Sequence, residues 1–342
     1  MLLEKLSRAS GVSGCEGEVR QILTEELAPR VDSLETDMLG NLMAFKKGAV
    51  DGPRLMLAAH MDEVGLIVVD IDGSGLIKFK KVGGIDDRVL LSKPVLVGPD
   101  KVCGVIGAKA IHLQKPEERG KTLTVDQLYI DIGAGSEEEA KKLVKPGDYI
   151  AFATAPRPVG EEVYMGKALD DRVGCYLLAE LLKEDLPLSV WAAFTVQEEV
   201  GLRGAGVAAY RIKPDLALVL EVTAAADVAD NPEHLQSTVL GKGPVLTFMD
   251  RTFITNQKVL DFILGTAKEA GIPCQLRRFT SAGTDAGRIS ITGSGIPAGV
   301  ISIPCRYLHG PRSLLNLKDV ERAGKLLRLL LKSLAKGGLE LC

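Results

Sequence analysis

The sequence lacks a long apolar run, a block of like charge and a closely spaced pair of cysteines. No stretch approaches the roughly 18 consecutive apolar residues that span a membrane, so we expect no membrane partner. The six cysteines are scattered through 342 residues without a Cys-x-x-Cys pair, which is too sparse for a disulfide framework. We therefore expect reduced cysteines that mostly pack in the interior.

The charge balance is close to even, with 45 acidic and 42 basic residues and a net charge of −3. The sequence lacks the excess of basic residues that is typical of nucleic-acid-binding proteins, and we expect no nucleic-acid partner. The first residues, MLLEKLSRASGVSG, lack the basic start, apolar core and cleavage site of a signal peptide. Together with reduced cysteines, this predicts a cytoplasmic protein.

The distribution of apolar residues predicts an α/β fold with an inserted β-rich module. Between residues 63 and 164, short Val/Ile-rich runs alternate with Gly, Pro and Asp, as in closely spaced strands and turns. Outside that segment, apolar strands alternate with amphipathic helices. We predict helices near 15–30, 171–184, 256–270 and 316–335, and strands near 54–61, 188–196, 215–222, 274–279 and 297–303. The predicted domains are therefore residues 1–62 with 165–342, and an insert of residues 63–164.

Five polar clusters lie close to the ends of predicted strands or the start of a helix. Each has an ordinary explanation, such as a helix N-cap for an Asp pair or a solvated turn for a Glu pair. Ligands of open α/β sheets, however, bind outside the carboxyl ends of the strands. The clusters are His60-Met61-Asp62, Asp170-Asp171, Gln197-Glu198-Glu199, Glu221 and His309. Two histidines and several carboxylates without thiolates form a ligand set that suits Zn²⁺, Co²⁺ or Mn²⁺.

The number of these residues is sufficient for two metal ions. A dinuclear site needs a bridging carboxylate and about two further ligands for each ion. Asp170 as the bridge, His60 with Glu221 on one ion, and Glu199 with His309 on the other satisfy that count.

Two further acidic residues take catalytic or supporting roles in this assignment. Glu198 is then free to act as a general base on a metal-bridging water. Asp62, two residues after His60, is placed to accept the other imidazole N–H and fix the tautomer.

Several segments resemble the signature blocks of one enzyme family along nearly the whole chain. They are AAHMDEVG (58–65), GKALDDRVG (166–174), VQEEVGLRGA (196–205), LEVT (220–223), SAGTDAGRI (281–289) and RYLHGP (306–311). They are similar to the TET-type dinuclear metallo-aminopeptidases, which include glutamyl and deblocking aminopeptidases and are sometimes labelled cellulase M.

The resemblance implies a fold, an activity and a state of assembly. The fold is a zinc-exopeptidase-type mixed sheet flanked by helices, with a small inserted β-barrel-like domain used in subunit assembly. The activity is removal of N-terminal residues from peptides with a free N-terminus, with two divalent ions per subunit, Zn²⁺ or Co²⁺ before Mn²⁺. The resemblance assigns the same five ligands and the same base, Glu198, and a cis peptide between Asp170 and Asp171. It also implies a homo-oligomer, in many members a hollow tetrahedral dodecamer.

Three positions depart from the family pattern. Glu221 stands where Asp is common, Gly310 where Ser is common, and Arg288 where the residue is often small. We expect Arg288 to form a surface salt bridge rather than to select acidic substrates. Asp285 fits either the first turn of a helix or a substrate contact.

Two other functions remain compatible with the sequence. One is a metal-dependent N-acyl amidohydrolase, or deacylase, on the same scaffold. The other is a non-catalytic assembly protein with a relict site. Cleavage of free-amine compared with N-acyl substrates separates the first from an aminopeptidase, and absence of bound metal would favour the second.

Overall fold

The computed structural model describes residues 1–117 and 119–340. It contains an eleven-stranded mixed sheet flanked by helices and a closed six-stranded barrel. The predicted α/β class with a β-barrel-like module is therefore confirmed. No helix among the described residues is both long enough and apolar enough to span a membrane.

The elements are numbered in chain order. The strands are β1 (Ser33–Thr36), β2 (Leu42–Lys46), β3 (Val50–His60), β4 (Gly65–Ile71), β5 (Ile77–Val82), β6 (Pro94–Val97), β7 (Val102–Ala108), β8 (Leu128–Asp131), β9 (Tyr149–Phe152), β10 (Arg157–Val159), β11 (Val163–Gly166), β12 (Leu188–Thr195), β13 (Leu216–Ala224), β14 (Val245–Leu246), β15 (Gln275–Leu276), β16 (Ala298–Arg306) and β17 (Ser313–Asn316). The α-helices are α1 (Leu2–Arg8), α2 (Gly17–Leu27), α3 (Glu137–Lys141), α4 (Leu169–Leu182), α5 (Arg203–Ile212), α6 (Gln257–Glu269), α7 (Asp285–Ser290) and α8 (Leu317–Leu334).

The centre of the large sheet is parallel and buried on both faces. Its main order is β1-β2-β12-β3-β13-β16-β17-β11-β10, and β12, β3, β13 and β16 run parallel. Successive residues of a strand point to opposite faces. In β3, Leu55 and Leu57 accordingly join the core under α1, α2, α4, α6 and α8, whereas Met56 and Ala58 join the core under α5 and α7. Helices therefore cover both faces, as parallel sheets require.

The barrel forms from strands β4 to β9 and has its own apolar core. Its order is β4-β5-β8-β7-β6-β9, closed by pairing of β9 with β4. The predicted boundary at residue 164 lies within β11, the second strand of the hairpin β10–β11. β11 pairs with β17 of the large sheet, and β10 forms the edge of that sheet.

Some local predictions were incomplete or wrong. Helix α5 was not predicted: its segment is amphipathic, but its buried face consists mainly of small residues, and Gly204 and Gly206 interrupt it. The strand expected near 274–279 is only the two residues of β15. The described cysteines are all free, but Cys15 and Cys103 are exposed rather than packed, and Cys342 lies outside the described residues.

Candidate metal centre and active site

Parallel strands bring the predicted site residues to one edge of the large sheet. His60 is the last residue of β3 and lies beside Thr195, the last residue of β12. Glu221 lies near the carboxyl end of β13, which pairs with β3 on its other side. Glu198 and Glu199 follow β12 after two intervening residues, so the acidic and imidazole groups of the three strands lie at the same edge of the sheet.

Asp170 lies at the start of α4, where the helix is not yet regular. The backbone of Asp170 and Asp171 is non-helical, and the peptide bond between them is cis, as the family resemblance implied. Asp170 Oδ1 lies 3.3 Å from His60 Nε2, and its Oδ2 lies 3.5 Å from His309 Nε2. One carboxylate therefore faces both histidines, with one oxygen toward each.

The remaining predicted ligands complete two groups around Asp170. Glu221 Oε1 lies 3.4 Å from His60 Nε2, and Glu199 Oε2 lies 3.3 Å from His309 Nε2. Within each group the potential ligand atoms all lie within 4.8 Å of one another. The structure thus contains two His–carboxylate groups that share Asp170, each with the donor types of a divalent-metal site.

The electrostatics of these residues favour bound cations. Glu221 Oε1 accepts a hydrogen bond from the Val222 amide, but its buried Oε2 has no partner among the described residues. Burial raises the pKa of Glu221, and it raises that of Glu199 to about 8. A buried carboxylate without a donor is costly, and a cation would remove that cost. The residues present therefore fit a metal centre.

Asp62 connects His60 to the turn that carries the two glutamates. Its Oδ1 accepts a hydrogen bond from the Glu198 amide at 3.0 Å, and its Oδ2 accepts from the Glu199 amide at 3.2 Å and the Ser13 hydroxyl at 2.6 Å. His60 Nδ1 lies 3.5 Å from Asp62 Oδ1 and 3.2 Å from the Asp62 carbonyl oxygen. The ring nitrogen that faces away from Asp170 thus lies against Asp62, within hydrogen-bond distance of its backbone carbonyl oxygen.

His309 lies in the loop after β16 and contacts the segment that follows β5 of the barrel. Its Nδ1 lies 2.9 Å from the Gly84 carbonyl oxygen, which leaves Nε2 directed at Asp170 and Glu199. Burial opposes protonation of His309, but the hydrogen bond to Asp170 and the charge of Glu199 outweigh it and raise its pKa to about 9. A backbone carbonyl near the inserted module thus orients one of the candidate ligands.

Glu198 lines a cavity of about 690 Å³ that also contains the two His–carboxylate groups. Burial, followed by the nearby carboxylates Glu221 and Glu199, raises the pKa of Glu198, although the charge of His60 opposes the shift. A carboxylate beside the centre, with a raised pKa and access to the cavity, is placed to exchange a proton with a substrate or water.

Sequence reasoning missed a buried polar grouping close to the centre. Lys167 Nζ donates hydrogen bonds to both Glu63 oxygens at 2.7 and 2.8 Å, and Arg172 donates to the same carboxylate at 3.2 Å. The only signal was that these residues fall inside the MDEVG and GKALDDRVG segments.

Asp285, for which the sequence left a first-turn position or a substrate contact open, lies in the first turn of α7. Its carboxylate accepts a hydrogen bond from the Thr195 hydroxyl at 2.5 Å, and burial raises its pKa to about 7. Arg288, in the same helix, was expected to form a surface salt bridge, but it has none with the described residues.

Comparison with known proteins identifies the family. The family model described as M42 glutamyl aminopeptidase matches residues 40–326. The chain belongs to the M42 aminopeptidase family. Members of this metal-dependent family are peptidases, so the protein is a hydrolase. The predicted family and enzyme class are therefore confirmed.

Relatives of this M42 protein match along nearly their whole length. The lysyl aminopeptidase of Pyrococcus furiosus is 33% identical over 341 residues, covering 97% of this chain and 96% of the relative. The TET aminopeptidase structure from a marine-sediment Thaumarchaeota archaeon is 41% identical with a TM-score of 0.94, covering 98% of this chain and 97% of that one. The TET1 peptidase of Pyrococcus horikoshii, which assembles into a tetrahedron or a large octahedral shell, is 33% identical with a TM-score of 0.85, covering 97% and 99%.

Proposed function

We propose that this M42 protein is a dinuclear metal-dependent aminopeptidase that releases the N-terminal residue of peptides. The arrangement of Asp170 carries the proposal, because its two oxygens face His60 on one side and His309 on the other. Such an arrangement suits a bridging ligand between two ions, with Glu221 and Glu199 as the outer carboxylates. Zn²⁺ or Co²⁺ are the proposed ions, with Mn²⁺ as a third candidate.

The chain's own groups then have distinct roles. Two divalent ions held by the five ligands would supply the Lewis acidity that activates water and polarises a carbonyl. Glu198 takes a proton from the attacking water as its oxygen bonds to the scissile carbonyl carbon. Glu198 then returns that proton to the leaving nitrogen as the C–N bond breaks. Asp62 holds His60 and the amides of Glu198 and Glu199 in position.

The experiment compares free-amine and blocked substrates with defined metal content. Protein treated with a chelator is assayed on aminoacyl-p-nitroanilides and their N-acetylated counterparts, with Zn²⁺, Co²⁺ or Mn²⁺ added back. We expect metal-restored cleavage of the free-amine substrates only. In Glu198→Gln, kcat should fall by roughly 10²–10⁴-fold, the contribution of general acid–base catalysis, while two ions remain bound.

The matched control is Glu138→Gln, which changes an exposed glutamate of helix α3 in the same way. It should retain wild-type kcat and metal content. Cleavage of the acetylated substrates instead would support the deacylase function. A correctly folded protein that binds no metal and cleaves neither class would support the relict assembly protein. Full activity of Glu198→Gln would remove Glu198 from the mechanism.

We further propose that the protein works as a homo-oligomer, specifically a tetrahedral dodecamer, in the cytoplasm. The assembling TET1 relative supports oligomer formation, and apolar side chains are exposed at Val105 of barrel strand β7 and at Ile111 and Leu113 of the segment that follows β7. Free cysteines throughout the described residues agree with a reducing compartment. The inserted module is the proposed assembly unit.

A further inference from the structure

Ser302 is a buried serine whose hydroxyl has no hydrogen-bond partner among the described residues. It lies within β16 and is fully buried. In the parallel pairing of β13 with β16, Ser302 is directly beside Glu221. Neighbouring strands are about 4.8 Å apart, and residues in register project from the same face of a sheet. The unpartnered hydroxyl therefore lies next to a candidate metal ligand.

Ser302 extends the row of strand residues that carries the candidate metal centre. The register of β13 with β3 brings Glu221 level with His60, and Ser302 is level with Glu221 on the next strand. The residues two positions earlier on these three strands all pack in the core under α5 and α7: Ala58, Val219 and Val300. Because alternate residues of a strand share a face, His60, Glu221 and Ser302 all project from that face of the sheet. The strands that position the two ligands thus also position the serine.

Glu221 is the one polar residue among the four that surround Ser302 on this face of the sheet. On the other side of β16, Ser302 pairs with Val245 of β14. Along β16 itself, the residues two positions away are Val300 and Pro304. None of these three side chains has an atom that accepts a hydrogen bond. Within the sheet, Glu221 is therefore the natural acceptor for the Ser302 hydroxyl.

The two carboxylate oxygens of Glu221 have different surroundings. Oε1 accepts a hydrogen bond from the Val222 amide at 3.0 Å and lies 3.4 Å from His60 Nε2, whereas Oε2 is buried and has no partner among the described residues. If an ion binds through one oxygen, the other buried oxygen still needs a donor. A serine hydroxyl can rotate toward an acceptor, so Ser302 can supply that donor. The hydrogen bond would also restrict the orientation of the carboxylate.

We propose that Ser302 is a positioning residue for the metal centre. Its hydroxyl donates a hydrogen bond to Glu221 Oε2 and holds the carboxylate toward the ion that Glu221 would share with His60 and Asp170. This proposal rests on the dinuclear site of the proposed function. Ser302 is not among the described residues that line the cavity, so it acts through Glu221 and not on the substrate.

Ser302→Ala removes the hydroxyl and should weaken the binding of one of the two ions. Metal-free wild type and variant are titrated with Co²⁺ in competition with a chromogenic chelator. We expect two ions in each protein, with one dissociation constant raised about 10–100-fold in the variant, the usual effect of losing a group that orients a metal ligand. The other constant should change by less than about 3-fold, because Glu199 and His309 lie outside the paired strands.

The stability of the metal-free protein separates positioning from a purely structural role. A buried hydroxyl without a partner does not stabilise the metal-free fold, so the urea midpoint of metal-free Ser302→Ala should equal or exceed that of the wild type. At saturating Co²⁺, kcat on Leu-p-nitroanilide should stay within about 3-fold of wild type. The Co²⁺ concentration that gives half-maximal activity should rise with the weakened dissociation constant.

The matched control is Thr247→Val. Thr247 is also fully buried with an unpartnered hydroxyl, but its amide donates to the Val300 carbonyl oxygen, so it lies beside Val300 and not beside Glu221. Both dissociation constants should stay within about 3-fold of wild type. Ser302→Cys retains a similar volume with a weaker donor and should give an intermediate constant. If Ser302→Ala does not fold, Ser302→Cys and the control decide.

Several outcomes would overturn the proposal without affecting the aminopeptidase assignment. Two unchanged dissociation constants in folded Ser302→Ala refute it. Equal weakening of both ions with a lower urea midpoint, or the same change in Thr247→Val, would make the serine structural. In each of these cases the wild type still binds two ions and cleaves free-amine substrates. A wild-type protein that binds no ion and cleaves no free-amine substrate would instead overturn the proposed function, and this proposal with it.

Discussion

Replacing Asp62 by Asn tests how far the metal centre depends on one buried carboxylate. The substitution preserves size but removes the charge that faces His60 Nδ1 at 3.5 Å. It also places an amide NH₂ where the carboxylate accepts from two backbone amides and the Ser13 hydroxyl. Hydrogen bonds to a charged group contribute about 1.5–3 kcal/mol each, so losing one or two should destabilise the fold by roughly 2–5 kcal/mol.

Asp62→Asn should weaken metal binding by more than its lower folding stability explains. Asp62 holds both the imidazole of His60 and the turn bearing Glu198 and Glu199, so its loss loosens the ligands themselves. Groups that orient metal ligands typically contribute 10–100-fold to metal affinity or activity. We expect Asp62→Asn to weaken metal binding by that factor, as measured by competitive titration with a chromogenic chelator. Urea unfolding of metal-free protein gives the stability change independently.

Asp319→Asn is the matched control. Asp319 is also buried and accepts backbone hydrogen bonds at 2.6 and 2.7 Å, from Gly241 and Gly243, but it is not part of the candidate centre. It should lose comparable stability while metal affinity changes by less than about 3-fold. Wild-type metal affinity in a folded Asp62→Asn protein, or an equal loss of affinity in Asp319→Asn, would refute the reasoning.

Two other predictions follow from buried groups near the centre. Burial lowers the pKa of Lys167 to about 8, compared with about 10.4 in an unfolded chain. Between these two pH values the unfolded state binds more protons than the folded state, so the free energy of unfolding rises with pH. In urea titrations, the free energy of unfolding of the wild type minus that of Lys167→Met should therefore increase by about 2 kcal/mol between pH 7.5 and 10. A difference that stays constant with pH would contradict this prediction. A Cβ at Gly287 would lie 2.3 Å from the Thr252 hydroxyl oxygen, so Gly287→Ala should cost about 1–3 kcal/mol in thermal unfolding. Gly265→Ala, which lies in helix α6 with no atom within 4 Å and without a positive φ, is the control without a clash; an equal loss there would argue against the clash.

Much of the fold followed from hydrophobic periodicity. The predicted strand at 188–196 is β12, and the predicted helices at 256–270 and 316–335 are α6 and α8, each within one or two residues. These elements have long, regular apolar patterns. Helix α5 was not predicted because two glycines interrupt its pattern of small apolar residues. The strand β15 was predicted too long, because only its pairing with β14 decides which residues are extended.

The candidate site could be predicted where a potential metal ligand lies at or near the end of an apolar strand. His60, Glu199 and Glu221 were chosen because a polar group follows or interrupts an apolar strand. The structure brings them together with Asp170 and His309 in two groups. The buried ion pair of Lys167 with Glu63 had no comparable signal, because its partners are 104 residues apart in the chain.

The alternation of strands and helices, and the residue types at the sheet edge, could be predicted from the sequence. Those properties depend on neighbours along the chain, on side-chain volume and on hydrogen-bonding type. Two features could be seen only in three dimensions: Lys167 pairs with Glu63 in the interior, and Arg277 rather than Arg278 lines the cavity. Adjacent residues of one type are nearly equivalent in sequence, but the backbone turns them in different directions, and only packing in three dimensions fixes which one reaches the site.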